Sequence, residues 1–305
     1  MRKVLIMVLG LLAIDPCLAA NTLELQKVTN NVYAIVGELG NRSPENLGNN
    51  ATFGFVVTSA GVVLIDSGGT YQGAHKLYEQ IKRVTDQPVV KVINTGGQDH
   101  RWLGNGYFKQ HGAEIIASAS AVRDQKARTQ DEFFMLGNLV GVKGLKGTNA
   151  VYANKTFDKT LQFSLGGTKF EIVHRGPAHS PGDSFVWLPQ QQVMFSGDIV
   201  FTERMLGILD HSSSKGWVNA YRAMASYKPK YLVPGHGHVT TLAQANKDTY
   251  DYLIFLRQAV AKFMKAGGDI SEVNKIDQSK YKYLLNFKTL AGRNAQRVYS
   301  ELEWE

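Results

Sequence analysis

Residues 52–95 read TFGFVVTSAGVVLIDSGGTYQGAHKLYEQIKRVTDQPVVKVINT, and their periodicity changes twice. TFGFVVT (52–58) and GVVLIDSGG (61–69) are β-branched and aromatic runs joined at Ser59-Ala60-Gly61, the signature of two strands and a hairpin turn. Between 74 and 84 the apolar residues Leu77, Ile81 and Val84 recur at helical spacing, so an amphipathic helix follows. VVKVINT (89–95) is again a short apolar run suited to a buried strand. A β-to-α-to-β passage therefore closes a meander whose earlier strand is VYAIVGE (32–38).

The second half follows the same style without repeating the sequence. TKFEIVHR (168–175), SFVWLP (184–189), VMFSGD (193–198) and KYLVPG (230–235) read as strands, with a helix over about 215–227 before the last. The tail from 242 to 263 is helical, and Ala266-Gly267-Gly268 stops it. Two strand groups, each with helices, predict an α/β chain in which two sheets pack face to face with helices outside. No Pro/Ser-rich linker divides it.

The N-terminus has a different character. Arg2 and Lys3 precede an apolar stretch from 4 to 14, and Ala19 and Ala20 offer a small-residue cleavage site, which predicts a signal peptide over 1–20 and a single domain over 21–305. The apolar stretch is too short for the ~20 residues of a spanning helix. The chain is expected in the periplasm or secreted, with no stable membrane span after cleavage. Cleavage removes the only cysteine, Cys17, which excludes disulfides, thiolate ligands and a cysteine nucleophile from the mature protein. It also removes Arg2, Lys3 and Asp15, taking the formal charge from +8 to +7. The basic residues are scattered, without a block or an aromatic ladder, so nucleic acid is not an expected partner and a small-molecule substrate is.

His100, His179, Asp198 and His236 each lie just past a predicted strand, in NTGGQDHRWLGN, PAHSPGD, FSGDIV and VPGHGH. Loops from the same ends of strands converge on one rim, and imidazole with carboxylate is a ligand set for zinc or iron. The competing reading is a set of hydrogen-bonded turn residues. His75, His111, His174 and His211 lack such settings and read as structural or surface residues; His238, two residues from His236, stays open. There is no G-x-S-x-G elbow and no phosphate-binding glycine loop between a strand and a helix.

GVVLIDSGG with Asp66, GPAHSPGD with His179, FSGDIVF with Asp198 and VPGHGH with His236 resemble the motifs of metallo-β-lactamase-fold hydrolases. ERMLGIL (203–209) and NAQRVYSELE near the end are similar to the exported branch associated with sulfur-oxidation and quinoprotein systems. The resemblance implies a four-layer αββα sandwich, a structural Asp66, metal ligands at His179 and His236, and a bridging Asp198. The departure lies in the first metal motif, which in the family reads N-T-H-x-H-x-D-H-x-x-G-N. Aligned without gaps, NTGGQDHRWLGN puts Gly96 and Gln98 at the His-x-His pair, His100 at the aspartate and Arg101 at the last histidine. Shifting by one residue places Asp99-His100 under the family's Asp-His pair, but requires a deletion and an insertion.

The ungapped register leaves His179 with a share of Asp198 at one metal position and His100, Asp198 and His236 at the other. Three protein ligands and an open position suit a catalytic zinc. The expectation is one zinc ion, with iron or manganese as alternatives, and a hydrolase that uses metal-bound hydroxide on an ester, thioester, lactone or amide. Asp99 is expected to orient water or act as general base, or else to cap a helix and hold an imidazole. Arg101 is expected to bring positive charge to the vacated ligand position, or else to face solvent from the next helix. A metal-poor binding or accessory protein on the same fold is the rival reading, and β-lactam hydrolysis a third. Between the first two motifs, residues 131–149 combine Phe133, Phe134, Met135 and Leu136 with four glycines, which suits a lid or pocket wall, or a core helix followed by a loop.

Overall fold

The computed structural model describes residues 23–305, so the expected signal segment lies outside the described residues. The first sheet has seven strands in sequential order: β1 (Glu24–Thr29), β2 (Val32–Val36), β3 (Thr52–Thr58), β4 (Gly61–Ile65), β5 (Val89–Asn94), β6 (Glu114–Ser118) and β7 (Lys155–Phe157). β1 to β4 run antiparallel as a meander, and from β4 onward the pairing is parallel. Parallel pairing requires crossovers, supplied here by α1 (Tyr71–Lys82), then by α2 (Asp99–Trp102) with α3 (Asn105–Gln110), then by α4 (Ala119–Gly144). The second sheet is formed by β8 (Thr160–Leu165), β9 (Thr168–His174), β10 (Ser184–Leu188), β11 (Val193–Phe195) and β12 (Tyr231–Val233), ordered β12-β11-β10-β9-β8.

Strand alternation sorts the core into layers. In β3 and β4, Val56, Val63 and Ile65 point inward to meet Ile172, Val186, Leu188, Phe195 and Val233 of the second sheet. Their neighbours Phe53, Phe55, Val62 and Leu64 point outward onto Leu77 and Ile81 of α1 and Phe108 of α3. On the far side Phe185, Met194 and Leu232 pack on α5 (Ser214–Ala225), α7 (Asp251–Lys265) and α8 (Phe287–Leu302) through Trp217, Tyr221, Leu256 and Val298. This is the expected four-layer αββα sandwich.

Boundaries shift where caps decide them. α1 starts at Tyr71 because the Thr70 side chain accepts from Gly73 N. The helical tail comprises α6 (Leu242–Ala245), a π turn over Asn246–Tyr250 and α7. Segment 131–149 is mostly the end of α4, with Gly141 at φ 74 marking a kink. Leu136 and Val140 are buried against Trp102 and Leu103, while Phe134 on the opposite face is 69% exposed. The helix thus buttresses the segment that carries His100. Among the described residues no helix is long and apolar enough to cross a membrane.

Candidate metal centre

The site forms where strands of both sheets end on one rim. Asp66 follows β4, residues 95–101 follow β5, His179 lies between β9 and β10, Asp198 follows β11 and His236 follows β12. Thr52 ties the sheets there, its N–H donating to the Gly235 carbonyl (2.7 Å) and its hydroxyl to that of Gly237 (2.6 Å). The side chains of Asp66, His100, His179, Asp198 and His236 are all buried.

Three of the four expected ligands converge. His100 Nε2 lies 3.2 Å from Asp198 Oδ2, His236 Nε2 lies 3.2 Å from Asp198 Oδ1, and a donor atom from each residue falls within 4.8 Å of the others. His236 Nδ1 is 2.9 Å from the Asn50 carbonyl oxygen, to which it donates. Burial, and then the charge of Arg204, hold His236 well below its ordinary pKa, so the ring is neutral and carries one proton. With that proton committed to Asn50, the Nε2 lone pair faces a carboxylate oxygen. Two lone pairs at this distance repel unless a cation lies between them, so the donor set fits a divalent ion.

Arg101 is fully buried and meets the same carboxylate edge-on. Its Nη2 donates to Asp198 Oδ1 (2.6 Å) and its Nε to Oδ2 (3.1 Å), while Nη1 donates to Asp66 Oδ2 (2.9 Å) and to the Thr52 carbonyl (3.1 Å). Burial works to raise the Asp198 pKa, but the charge of Arg101 and then that of His100 hold it well below the usual carboxylate range. Asp66 goes the other way, raised by burial despite Arg101. Gly235 makes room for the guanidinium: a Cβ there would stand 2.7 Å from Arg101 Nη2.

His179 stands apart from this group. Its Nδ1 lies 3.0 Å from the Gly207 carbonyl oxygen and its Nε2 lies 2.7 Å from Gln98 Oε1, two acceptors of which a neutral ring donates to one. Burial lowers its pKa to about 3. Gln98, at the second histidine of the family pair, thus occupies the ring nitrogen that would otherwise face a metal. Gly96, at the first, has no space for a side chain: a Cβ would approach Asp183 Oδ1 to 2.6 Å, and Asp183 is fixed by Ser180 N at 2.7 Å and Ser180 Oγ at 2.5 Å.

Asp99 opens α2 with its carboxylate turned onto its neighbours. Its Oδ1 accepts from the His100 backbone N–H (2.7 Å), lies 3.0 Å from His100 Nδ1, and pairs with Arg42. Burial opposes ionisation, yet the charge of Arg42 and the bond to His100 hold the acid far below its ordinary value. Two functional candidates were missed in the sequence, Arg42 and Arg204. Arg42 Nη2 reaches His100 Nδ1 (2.7 Å) from the loop 37–51, and Arg204 Nη1 donates to the Gly40 carbonyl (3.1 Å) and lies 3.4 Å from His236 Nδ1. The one available signal was ERMLGIL, whose arginine had no assigned role. His238 is 40% exposed and pairs with Glu203 and Glu24, outside the centre.

The metallo-beta-lactamase superfamily profile matches residues 48–236, most of the rim just described. The chain belongs to the metallo-beta-lactamase superfamily. It is 28% identical over 223 residues to a metallo-beta-lactamase type 2 of Bacillus sp. (strain 170), covering 72% of this chain and 77% of that one. A metallo-beta-lactamase type 2 of Elizabethkingia meningoseptica is 25% identical over 190 residues, covering 60% and 67%. Two solved structures share the fold. The metallo-beta-lactamase from Pontibacter korlensis (22% identity, TM-score 0.60) covers 76% of this chain and 99% of its own. The stereoselective inverting sec-alkylsulfatase Pisa1 from Pseudomonas sp. (17% identity, TM-score 0.72) covers 91% and 50%. The superfamily fold is a hydrolase fold consistent with metal-dependent hydrolysis, and relatives with different names show that it leaves the substrate open.

Proposed function

We propose that this protein is an exported hydrolase with a single-ion centre held by His100, Asp198 and His236, acting on an ester, thioester, lactone or amide. The observation that carries the reading is the neutral His236 whose Nδ1 proton is committed to Asn50, which turns an unprotonated nitrogen onto Asp198. When bound, the ion supplies Lewis acidity that polarises a substrate oxygen or acidifies water. Zinc suits the donor set, with iron and manganese as alternatives. Arg101 fixes the plane of Asp198, Asn50 fixes His236, and Asp99 accepts from the His100 backbone and orients its ring. Asp99 is so strongly held as an anion that its role is orientation rather than proton uptake. His179 and Gln98 close the other side of the site as a neutral hydrogen-bonded pair.

The test is turnover of a panel of activated esters, thioesters, lactones and a chromogenic β-lactam by metal-reconstituted protein. Hydrolysis of at least one class, lost in His236→Ala and on chelation, supports the reading. The bidentate hold of Arg101 on Asp198 favours a second one, a metal-poor binding or accessory protein, because a guanidinium already answers that carboxylate. Failure to hydrolyse any class while folded, with no ion retained, favours this second reading. Export is checked by the mass of the mature chain, expected to begin at residue 21.

A further inference from the structure

The outward face of α4 is apolar where a surface helix is usually polar. Among the described residues eight large apolar side chains are exposed, and four of them, Phe134, Met135, Leu139 and Val142, fall within nine residues of this helix. Val142 is 90% exposed. Apolar side chains gathered on one exposed face mark a contact surface, whereas single scattered ones do not. The inner face is fully occupied: Leu136 and Val140 are buried beside Trp102, and Glu132 accepts from Trp102 Nε1 at 3.0 Å and from Arg128 at 2.7 Å.

Polar residues give this face a direction. Asp131, Met135, Asn138 and Val142 succeed one another at spacings of four and three residues, the seam of a two-helix contact, with Phe134 and Leu139 flanking it. Asp131 closes one end, and the exposed Lys143 and Lys146 close the other. None of these three charges forms an ion pair among the described residues, and the Asn138 amide makes no hydrogen bond there. The basic end is held in place: Gly141 (φ 74) breaks the helix, and Gln72 Nε2 donates to the Lys143 carbonyl at 2.6 Å. A strip that is acidic at one end and basic at the other complements a copy of itself turned end for end. An anionic membrane surface fits it less well, because Asp131 lies within the strip.

We propose that a second copy of this chain covers this face, with α4 lying antiparallel on α4 about a two-fold axis at Asn138. The two asparagines meet on the axis, where each amide both donates to and accepts from its twin and so fixes the register. Phe134 then packs on the partner's Val142, Met135 packs on the partner's Leu139, and Asp131 faces the partner's Lys143 and the partner's Lys146. Each of these contacts occurs twice by symmetry. A contact of two helix faces alone falls below the ~800 Å² per partner of a standard interface, so association is reversible, with a Kd of about 1–100 µM. The inference is independent of the hydrolase reading, since nothing in it depends on turnover.

The experiment is sedimentation velocity of the full mature chain over a range of about 1 to 200 µM, chosen to bracket that affinity. The expected result is reversible monomer–dimer exchange. Val142→Asp should weaken the dimer about tenfold or more, because it sets a charge into the apolar contact twice over. Asp131→Lys should weaken it about three- to tenfold by placing like charges opposite Lys143 and Lys146, and adding Lys143→Asp and Lys146→Asp to that variant should restore it. Melting temperatures taken at submicromolar protein, where the chain is a monomer, should stay unchanged in these surface variants and so separate a lost dimer from a lost fold. Should Val142→Asp not fold, the charge reversal and its rescue carry the test. A chain that stays monomeric at the highest concentration overturns the proposal, as does a dimer indifferent to Val142→Asp. A dimer broken by Val142→Asp but not restored by the charge exchange has another register and overturns the antiparallel one. Vesicles rich in phosphatidylglycerol form the rival arm: Asp131→Lys would strengthen binding to them, opposite in sign to its effect on the dimer. Vesicle binding by a chain that stays monomeric assigns the face to a membrane and overturns the proposal equally.

Discussion

Arg101 and Asp198 meet through two nearly parallel hydrogen bonds, Nη2 to Oδ1 at 2.6 Å and Nε to Oδ2 at 3.1 Å, with both side chains almost entirely buried. Asp66 takes a third donor of the same guanidinium. One cation therefore answers two anions, which leaves one negative charge in the layer between the sheets. On the hydrolase reading, a divalent ion at His100 and His236 would offset that remainder.

Removal of Arg101 should accordingly be severe. Arg101→Ala leaves two buried carboxylates uncompensated and is expected to cost about 3–5 kcal/mol of stability. Arg101→Lys should recover only part of that, because an ammonium cannot make the paired bonds to Asp198 while reaching Asp66 and Thr52. Denaturant unfolding measures both. A variant Arg101→Ala with unchanged midpoint and unchanged metal content would show that the interior carboxylates are not ionised.

Metal stoichiometry should be about one tightly held divalent ion per chain. His100→Ala and His236→Ala are expected to lose it, while His179→Ala should retain it, since His179 faces Gln98 rather than the other ligands. Elemental analysis of protein dialysed against metal-free buffer decides the count. Two tightly held ions per chain would require Gln98 and His179 to reorganise around the second.

Restoring the family pair should not restore a second ion by itself. In Gly96→His with Gln98→His, the new Cβ at 96 meets Asp183 Oδ1 at 2.6 Å, and Ser180 prevents that carboxylate from yielding. The double variant is expected to lose about 1–3 kcal/mol through overpacking and to bind no additional ion. Adding Asp183→Ala, which opens the space, is the arm in which a second ion would be gained, read by metal analysis and melting temperature.

The pH dependence has a definite sign. His179 is held neutral in the fold, with its pKa lowered to about 3 by burial, whereas the unfolded chain takes up a proton near pH ~6.5. Between these values the unfolded state binds more protons, so this histidine's contribution to stability falls as pH falls, by about 1.4 kcal/mol per unit. Asp183 and Glu132, each raised to about 8 chiefly by burial, pull in the opposite direction over part of the same range. The diagnostic quantity is therefore the difference between wild type and His179→Gln. It should grow with pH from about 3 and level off above ~6.5; a flat difference curve would mean that His179 binds its proton as readily in the fold as in the unfolded chain.

On α4 the two faces should respond differently. Leu136 is buried against the helix that carries His100, so Leu136→Ala is expected to cost about 2–5 kcal/mol. Phe134 is 69% exposed, so Phe134→Ala should change stability by no more than about 0.5 kcal/mol. Any change in KM from Phe134→Ala, with stability intact, would assign the exposed face to the substrate path.

The strands of 52–58, 61–65 and 89–94, the helix between the last two and the two-sheet architecture were legible in the chain because side-chain alternation and helical spacing are local patterns. β6, β7, β8 and α8 were not read, since three- to six-residue strands and a polar helix take their identity from neighbours distant in sequence. The same division holds at the site. His100, Asp198 and His236 announced themselves by their places after strands. That Arg101 turns inward onto Asp198, that Gln98 occupies His179, and that Arg42 and Arg204 arrive from loops more than 30 residues from the histidines they touch was decided by the tertiary structure alone. Local sequence sets which way a strand alternates, but whether a charged side chain faces water or a buried partner depends on which carboxylates and carbonyls the folded sheets bring within hydrogen-bonding reach.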